Sequence, residues 1–262
     1  EEVCVETSSL PFKEYVECRR FSLTVNIFYN DKIFVELIEL LKRCGISSFD
    51  WLVLLHQHVP QFSDAVRSVY DRFTEETVSE LWENRENLRE FAEEPENYRK
   101  YVTGEFGSNL IFKSRAQVFA AHMDEVLKVA FSIAKKAIQQ DNPEGLLNYS
   151  HYLNELHDYC KHRKLDIFDT VSVYQDVFSY DFEELEAQSF HCDPETYRLI
   201  EPKELVFEHS NEVRNDIESN LKTYGADLAG LTRILSRVFI GKLYRSSRSI
   251  SSSVDQAVES IS

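Results

Sequence analysis

The sequence predicts a mainly α chain, with a domain of long antiparallel helices over 9–164 followed by a small α+β unit over 165–246. Three observations predict this. Only 7 Gly and 6 Pro occur in 262 residues, too few for the tight turns of barrels and doubly wound sheets. Apolar residues recur every three to five positions along most of the first 164 residues. Beyond Lys164 the chain becomes richer in Val, Tyr, Phe and Thr, which suit strands.

The elements follow in order. Residues 1–8 read as extended, because Val3 and Val5 alternate with polar residues. Ser9 as cap and Pro11 near the first position open a helix over 12–29. Phe21, Leu23, Val25 and Ile27 alternate as a strand would, but the start signal and the helical segment beyond it favour helix. Asp31 opens an amphipathic helix with Ile33, Phe34, Leu37, Ile38, Leu40 and Leu41 on one face, stopped at Gly45. Ser48 caps a short helix through Trp51, Leu52 and Leu55.

Residues 63–92 read as one long helix, striped by Val66, Val69, Tyr70, Phe73, Val78, Leu81, Leu88 and Phe91, with a charged, solvated opposite face. A break at 104–108 precedes a second long helix over 109–139, and Pro143 opens a third that ends near Arg163. In the α+β unit, 203–208 and 242–245 read as strands, and 212–224 and 228–238 as helices. The serine-rich residues 247–262 read as a flexible tail.

Composition bounds the function. Hydrophobic residues at 43% and aromatics at 13% suffice for a core. The formal net charge of -16 repels nucleic acid and anionic membranes unless basic residues cluster. Five scattered cysteines form no disulfide framework and point to a reducing, cytoplasmic compartment. No apolar run is long enough for a membrane span. The chain opens at Glu1 and its only methionine is Met123, so a piece of a longer protein is expected.

Local chemistry is sparse. There is no P-loop, G-x-G-x-x-G, G-x-S-x-G, H-E-x-x-H or C-x-x-C. The one metal candidate is His157, Cys160 and His162, with His151 nearby. His157 and Cys160 share a helix face, but zinc needs a fourth ligand, and basic residues at a helix C-terminus are the plainer account. From 222 to 248, six basic residues (Lys222, Arg233, Arg237, Lys242, Arg245, Arg248) stand against Asp227 alone. Two helices joined at Gly225 also resemble a helix-turn-helix, although docking onto an acidic face would need the same charges. The loop GEFGSN at 104–109 places two glycines before a helix, where backbone N–H groups can meet an anion. A C-cap followed by an N-cap explains it more simply.

Three segments together resemble a family. They are EYVECRRF at 14–21 running into IFYND at 27–31, GEFGSNLIFK at 104–113, and YGADLAGLTRILSRV at 224–238 with LYR at 243–245. They look like the C-terminal region of bacterial radical S-adenosylmethionine proteins that also carry a cobalamin-binding domain. The resemblance implies an accessory, substrate-shaping or lid domain. Its partners would be the upstream barrel and cobalamin-binding domains of the same polypeptide, with residues 1–8 as the link. S-adenosylmethionine, an iron–sulfur cluster and cobalamin would belong to that upstream part. This chain lacks the C-x-x-x-C-x-x-C triplet and the D-x-H-x-x-G pattern, so no catalytic residue carries over. Substrate contact is expected instead from Arg19, Arg20, Asn109 and Lys113, which lie in the resembling segments and offer anion or amide contacts. The alternative is a free-standing helical interaction protein whose basic C-terminal segment binds a partner or nucleic acid.

Overall fold

Helix α1 (Phe12–Phe28) lays one face against α4 (Asp64–Ser79) and α7 (Leu110–Ala121), and around these three the helical part assembles. The computed structural model describes residues 4–103, 106–107 and 109–250. Between and beyond these helices run α2 (Val35–Arg43), α3 (Ser48–Gln57), α5 (Arg85–Glu93), α6 (Pro95–Thr103), α8 (Met123–Asp141) and α9 (Pro143–Lys164). Their shared core is aromatic at its centre: Phe28, Phe34 and Trp51 meet with ring centroids 5.9–6.2 Å apart, all fully removed from water. Such edge-on and offset contacts add to the area these rings bury. The sequence-predicted mainly α architecture with a small α+β unit is what the chain adopts.

Several boundaries differ from the sequence reading, each for a local reason. Pro11, not Ser9, stands at the N-cap of α1. The helix expected from Asp31 starts at Val35, because Asp31 and Lys32 both take left-handed backbone (φ 56°) in a 3-10 turn. Ser47, not Ser48, caps α3, its hydroxyl accepting from Phe49 N at 3.2 Å. The helix expected over 63–92 is two, because Asn84 turns its side chain onto Asn87 N at 2.8 Å and starts α5 afresh. The helix expected over 109–139 breaks at His122 (φ -134°, ψ 19°), after which Asp124 and Glu125 occupy the first turn of α8.

No residue of α5 or α6 is buried. The pair is held together by an aromatic chain in which Trp82 meets Phe91 (4.8 Å), Phe91 meets Phe106 (6.0 Å) and Phe106 meets Tyr101 (5.5 Å). An arm with so few buried contacts sits at the low end of local stability.

The C-terminal unit is a three-stranded antiparallel sheet in the order β1 (Tyr174–Tyr180), β2 (Arg198–Glu208), β3 (Ser246–Ser249), with α10 (Phe182–Ala187) in the β1–β2 connection. Helices α11 (Asn211–Tyr224) and α12 (Leu228–Leu235) fill the β2–β3 connection. The strand expected at 242–245 is instead approached by a 3-10 turn over Ile240–Leu243, and the strand itself lies in the serine-rich residues expected to be tail. Only pairing reveals it: Phe207 faces Ser247 and Val206 faces Arg248. The rest of the expected tail, 251–262, lies outside the described residues, as do 1–3 of the expected link and Gly104, Glu105 and Ser108 of the glycine loop.

Helix α9 serves both parts. Its Tyr159 stacks on Phe182 at 4.4 Å and meets Phe178 and Phe207 of the sheet edge-on, so one core continues across residue 164. Arg245 locks the junction. Its side chain is fully buried and donates to the carbonyls of Leu165, Asp166 (3.3 Å) and Asp169 (3.1 Å). Its backbone N–H donates to Arg163 O (3.1 Å), and Arg163 Nε returns a bond to Arg245 O (2.9 Å). No described helix is long and apolar enough to cross a membrane.

Candidate functional site

Helix α12 crosses the start of α7. Asn109 begins α7 by accepting from Ile111 N (3.0 Å) and Phe112 N (3.3 Å). Asp227 begins α12 by accepting from Gly230 N (2.8 Å). The tight turn from α11 (Asn211–Tyr224) into α12 needs Gly230, since a Cβ there would stand 2.3 Å from Gly225 O and 2.4 Å from Tyr224 O. Between the two helices and the end of α6 lies a groove of about 790 Å³.

Its apolar wall is formed by Tyr101, Phe106, Phe112 and Leu228, and its cations are Lys113, Arg233 and Arg237. Arg237 donates to the Tyr224 hydroxyl (2.7 Å) and lies 5.1 Å from that ring. Arg233 is exposed and makes no ion pair or side-chain hydrogen bond with the described residues. Lys113 pairs with Glu76 at 2.7 Å behind the groove. Shielding from water and the Glu76 charge raise the pKa of Glu80 there, while Lys113 and Arg19 oppose the rise.

The four expected contact residues therefore part company. Asn109 and Lys113 line the groove. The Asn109 carbonyl is committed to the helix cap. Arg19 belongs to the charge cluster behind it, with its guanidinium 5.8 Å from the Phe73 ring. Arg20 lies apart, paired with Glu17 of its own helix at 3.3 Å. Sequence reading missed Arg233 and Arg237 as partners of Lys113, because only the tertiary crossing of α7 and α12 unites them.

Comparison with protein-family models, curated proteins and solved structures finds no match to this chain. The geometry stands alone.

The expected metal trio is not assembled. His157 turns to Phe131 (5.1 Å between rings) and Asp158 (3.1 Å), and His162 turns to Asp176 (2.9 Å). Cys160 is buried and lies 3.6 Å from Lys164 Nζ, and burial together with the Glu36 charge pushes its thiol up to about 12. A thiol so held is a packing group rather than a thiolate ligand. Among the described residues no three His, Cys, Asp or Glu side chains stand together as a metal site.

The basic C-terminal segment is dispersed as well. Arg245 is internal and Arg248 pairs with Glu208 (2.9 Å). Helix α12 buries Gly230, Ile234 and Leu235 against this chain and leaves Arg233 exposed.

A second cleft, of about 660 Å³, lies between the end of α1 and Tyr244. Four residues in left-handed backbone line it: Asp31, Lys32, Ser189 and Phe190. The Tyr244 hydroxyl beside it is buried and unpartnered in the structure. Its acids are neutralised, Asp31 by Arg115, Glu36 by Lys164 (2.7 Å), Glu39 by Lys42 (2.6 Å) and Glu186 by Arg163. The three segments that carry the family resemblance thus meet pairwise. The second and third form the α7–α12 groove, and the end of the first faces Tyr244 of the third across this cleft.

Proposed function

We propose that this chain is the C-terminal accessory domain of a radical S-adenosylmethionine enzyme with a cobalamin-binding domain, and that the α7–α12 groove faces the substrate. The observation that supports the reading is the convergence just described: two of the three resembling segments, far apart in sequence, build the walls of one groove. The arm of α5 and α6 beside it suits a lid, since neither helix buries a residue and Tyr101 of α6 lines the groove. Enclosure matters in such chemistry because reactive intermediates must be kept from water and side reactions.

The residues of this chain do not fit a cluster or a cobalt centre. Cys4 and Cys18 are exposed, Cys44 and Cys160 are buried, and none is grouped with further ligands among the described residues. On the resemblance, S-adenosylmethionine, the iron–sulfur cluster and cobalamin would belong to the upstream barrel and cobalamin-binding domain. The chain itself contributes shape and charge.

The test uses the natural polypeptide that contains this chain, purified without oxygen and with its cluster reconstituted. It should cleave S-adenosylmethionine, and Phe112→Ala should uncouple that cleavage from product formation. A natural gene with no cysteine triplet upstream of Glu1, or stoichiometric iron on this chain alone, would overturn the proposal.

A further inference from the structure

The groove has a charge that the rest of the chain does not share. Lys113, Arg233 and Arg237 face it, and Glu76 is the one carboxylate paired to any of them among the described residues. With Glu80 and Arg19 of the adjoining charge cluster offsetting each other, the local balance is close to two positive charges in a chain of net charge -16. Arg233 lies in the last turn of α12 and Arg237 in the turn just beyond its end, and both line the groove. Lys113 approaches from α7 on the other side, and an ammonium bound to Glu76 through one proton keeps two more donors. Beside these cations stand the rings of Tyr101, Phe106 and Phe112.

We infer that the groove binds an organic phosphate monoester, with its dianionic head between Arg233, Arg237 and Lys113 and its apolar or aromatic body on the ring wall. A monoester phosphate carries about -1.5 to -2 charges near pH 7, which matches the local balance; a carboxylate leaves one cation uncompensated. Guanidinium groups also suit phosphate oxygens through paired, planar donation. Calling this ligand a substrate rests on the accessory-domain reading; the binding itself does not.

Phenyl phosphate, inorganic phosphate and phenylacetate, each titrated into the full chain by calorimetry, test this. Phenyl phosphate should bind about tenfold or more tighter than either of the others, since each lacks one half of the recognition. Arg233→Gln with Arg237→Gln should weaken phenyl phosphate about tenfold or more with the unfolding midpoint unchanged. Lys222→Ala, an exposed cation that does not line the groove, should leave the affinity as it was. Equal binding of phenylacetate, or full affinity in the double variant, overturns the inference. Failure of phosphate binding in a chain whose parent still uncouples on Phe112→Ala removes only this inference. Phosphate binding without any upstream cysteine triplet removes only the accessory-domain reading.

Discussion

Lys164 Nζ lies 2.7 Å from Glu36 Oε2 with both side chains almost wholly out of water, tying the end of α9 to α2. The ammonium also donates to Ile33 O at 2.7 Å. Lys164→Met leaves a buried carboxylate uncompensated and should cost roughly 3–5 kcal/mol, read by chemical denaturation. Glu36→Leu with Lys164→Met should recover most of that loss, because the isosteric apolar pair has no charge to desolvate. Burial alone would lower the Lys164 pKa, but the Cys160 and Glu36 charges outweigh it and hold it above its ordinary value. Its contribution is therefore complete below pH 10.5 and is lost as pH rises through the folded value.

His209 sets an acid limit. Its Nε2 donates to Leu243 O at 3.0 Å, and it is 2% exposed. Burial lowers its pKa, and the Arg245 and Arg214 charges add to the fall, against the Leu243 and Asp169 backbone bonds. The unfolded chain thus takes the proton first. Stability from this site is present above pH 6.5 and declines as pH falls below it. His209→Gln retains a donor at the Nε2 position and should flatten the stability profile between pH 7 and pH 5. An unchanged profile would show that another group governs that range.

Asn109 separates capping from recognition. Asn109→Ala should cost about 0.5–2 kcal/mol through the lost cap, and Asn109→Asp should restore it. Thermal unfolding of both variants reads the cap. Phenyl phosphate affinity that falls in Asn109→Asp while stability holds would instead give Asn109 a direct ligand role.

Gly230→Ala should be among the most disruptive single-methyl changes in the chain. The new Cβ meets the carbonyls of Gly225 and Tyr224, which are backbone and cannot swing aside. Forcing α12 away from the end of α11 should cost about 1–3 kcal/mol and displace the helix that carries one wall of the groove. Denaturation combined with phenyl phosphate titration should show both losses together.

Much of the helical part is legible because caps and apolar spacing agree. Ser63, Gly45 and Pro143 each punctuate where expected, and Leu37, Leu40 and Leu41 face the core. The breaks at 80–84 and at His122 are not legible from periodicity, since the apolar spacing runs on through both. Asn84, and the Asp124–Glu125 pair, carry the signal, and each reads equally well as helix interior. Strand β3 has serine where a strand pattern needs apolar residues, so its partner β2 alone defines it. In the groove, Asn109 and Lys113 are marked by the distinctive loop, whereas Arg233 and Arg237 depend on how α12 crosses α7. The left-handed turns at Asp31 and Ser189 use residues that sequence offers no reason to bend.

The Arg245 lock also fixes an order of events during synthesis. The carbonyls it satisfies belong to residues as far as 80 positions earlier in the chain. At about 5–20 residues per second, the ribosome leaves them waiting roughly 4–16 s. Through that interval α9 lacks its terminal clamp, and until Phe182 and Phe207 follow, its Tyr159 is an aromatic face awaiting cover. Slowing translation between Leu165 and Arg245 should lengthen the exposure and raise the chain's dependence on holdase chaperones, while the finished fold stays the same.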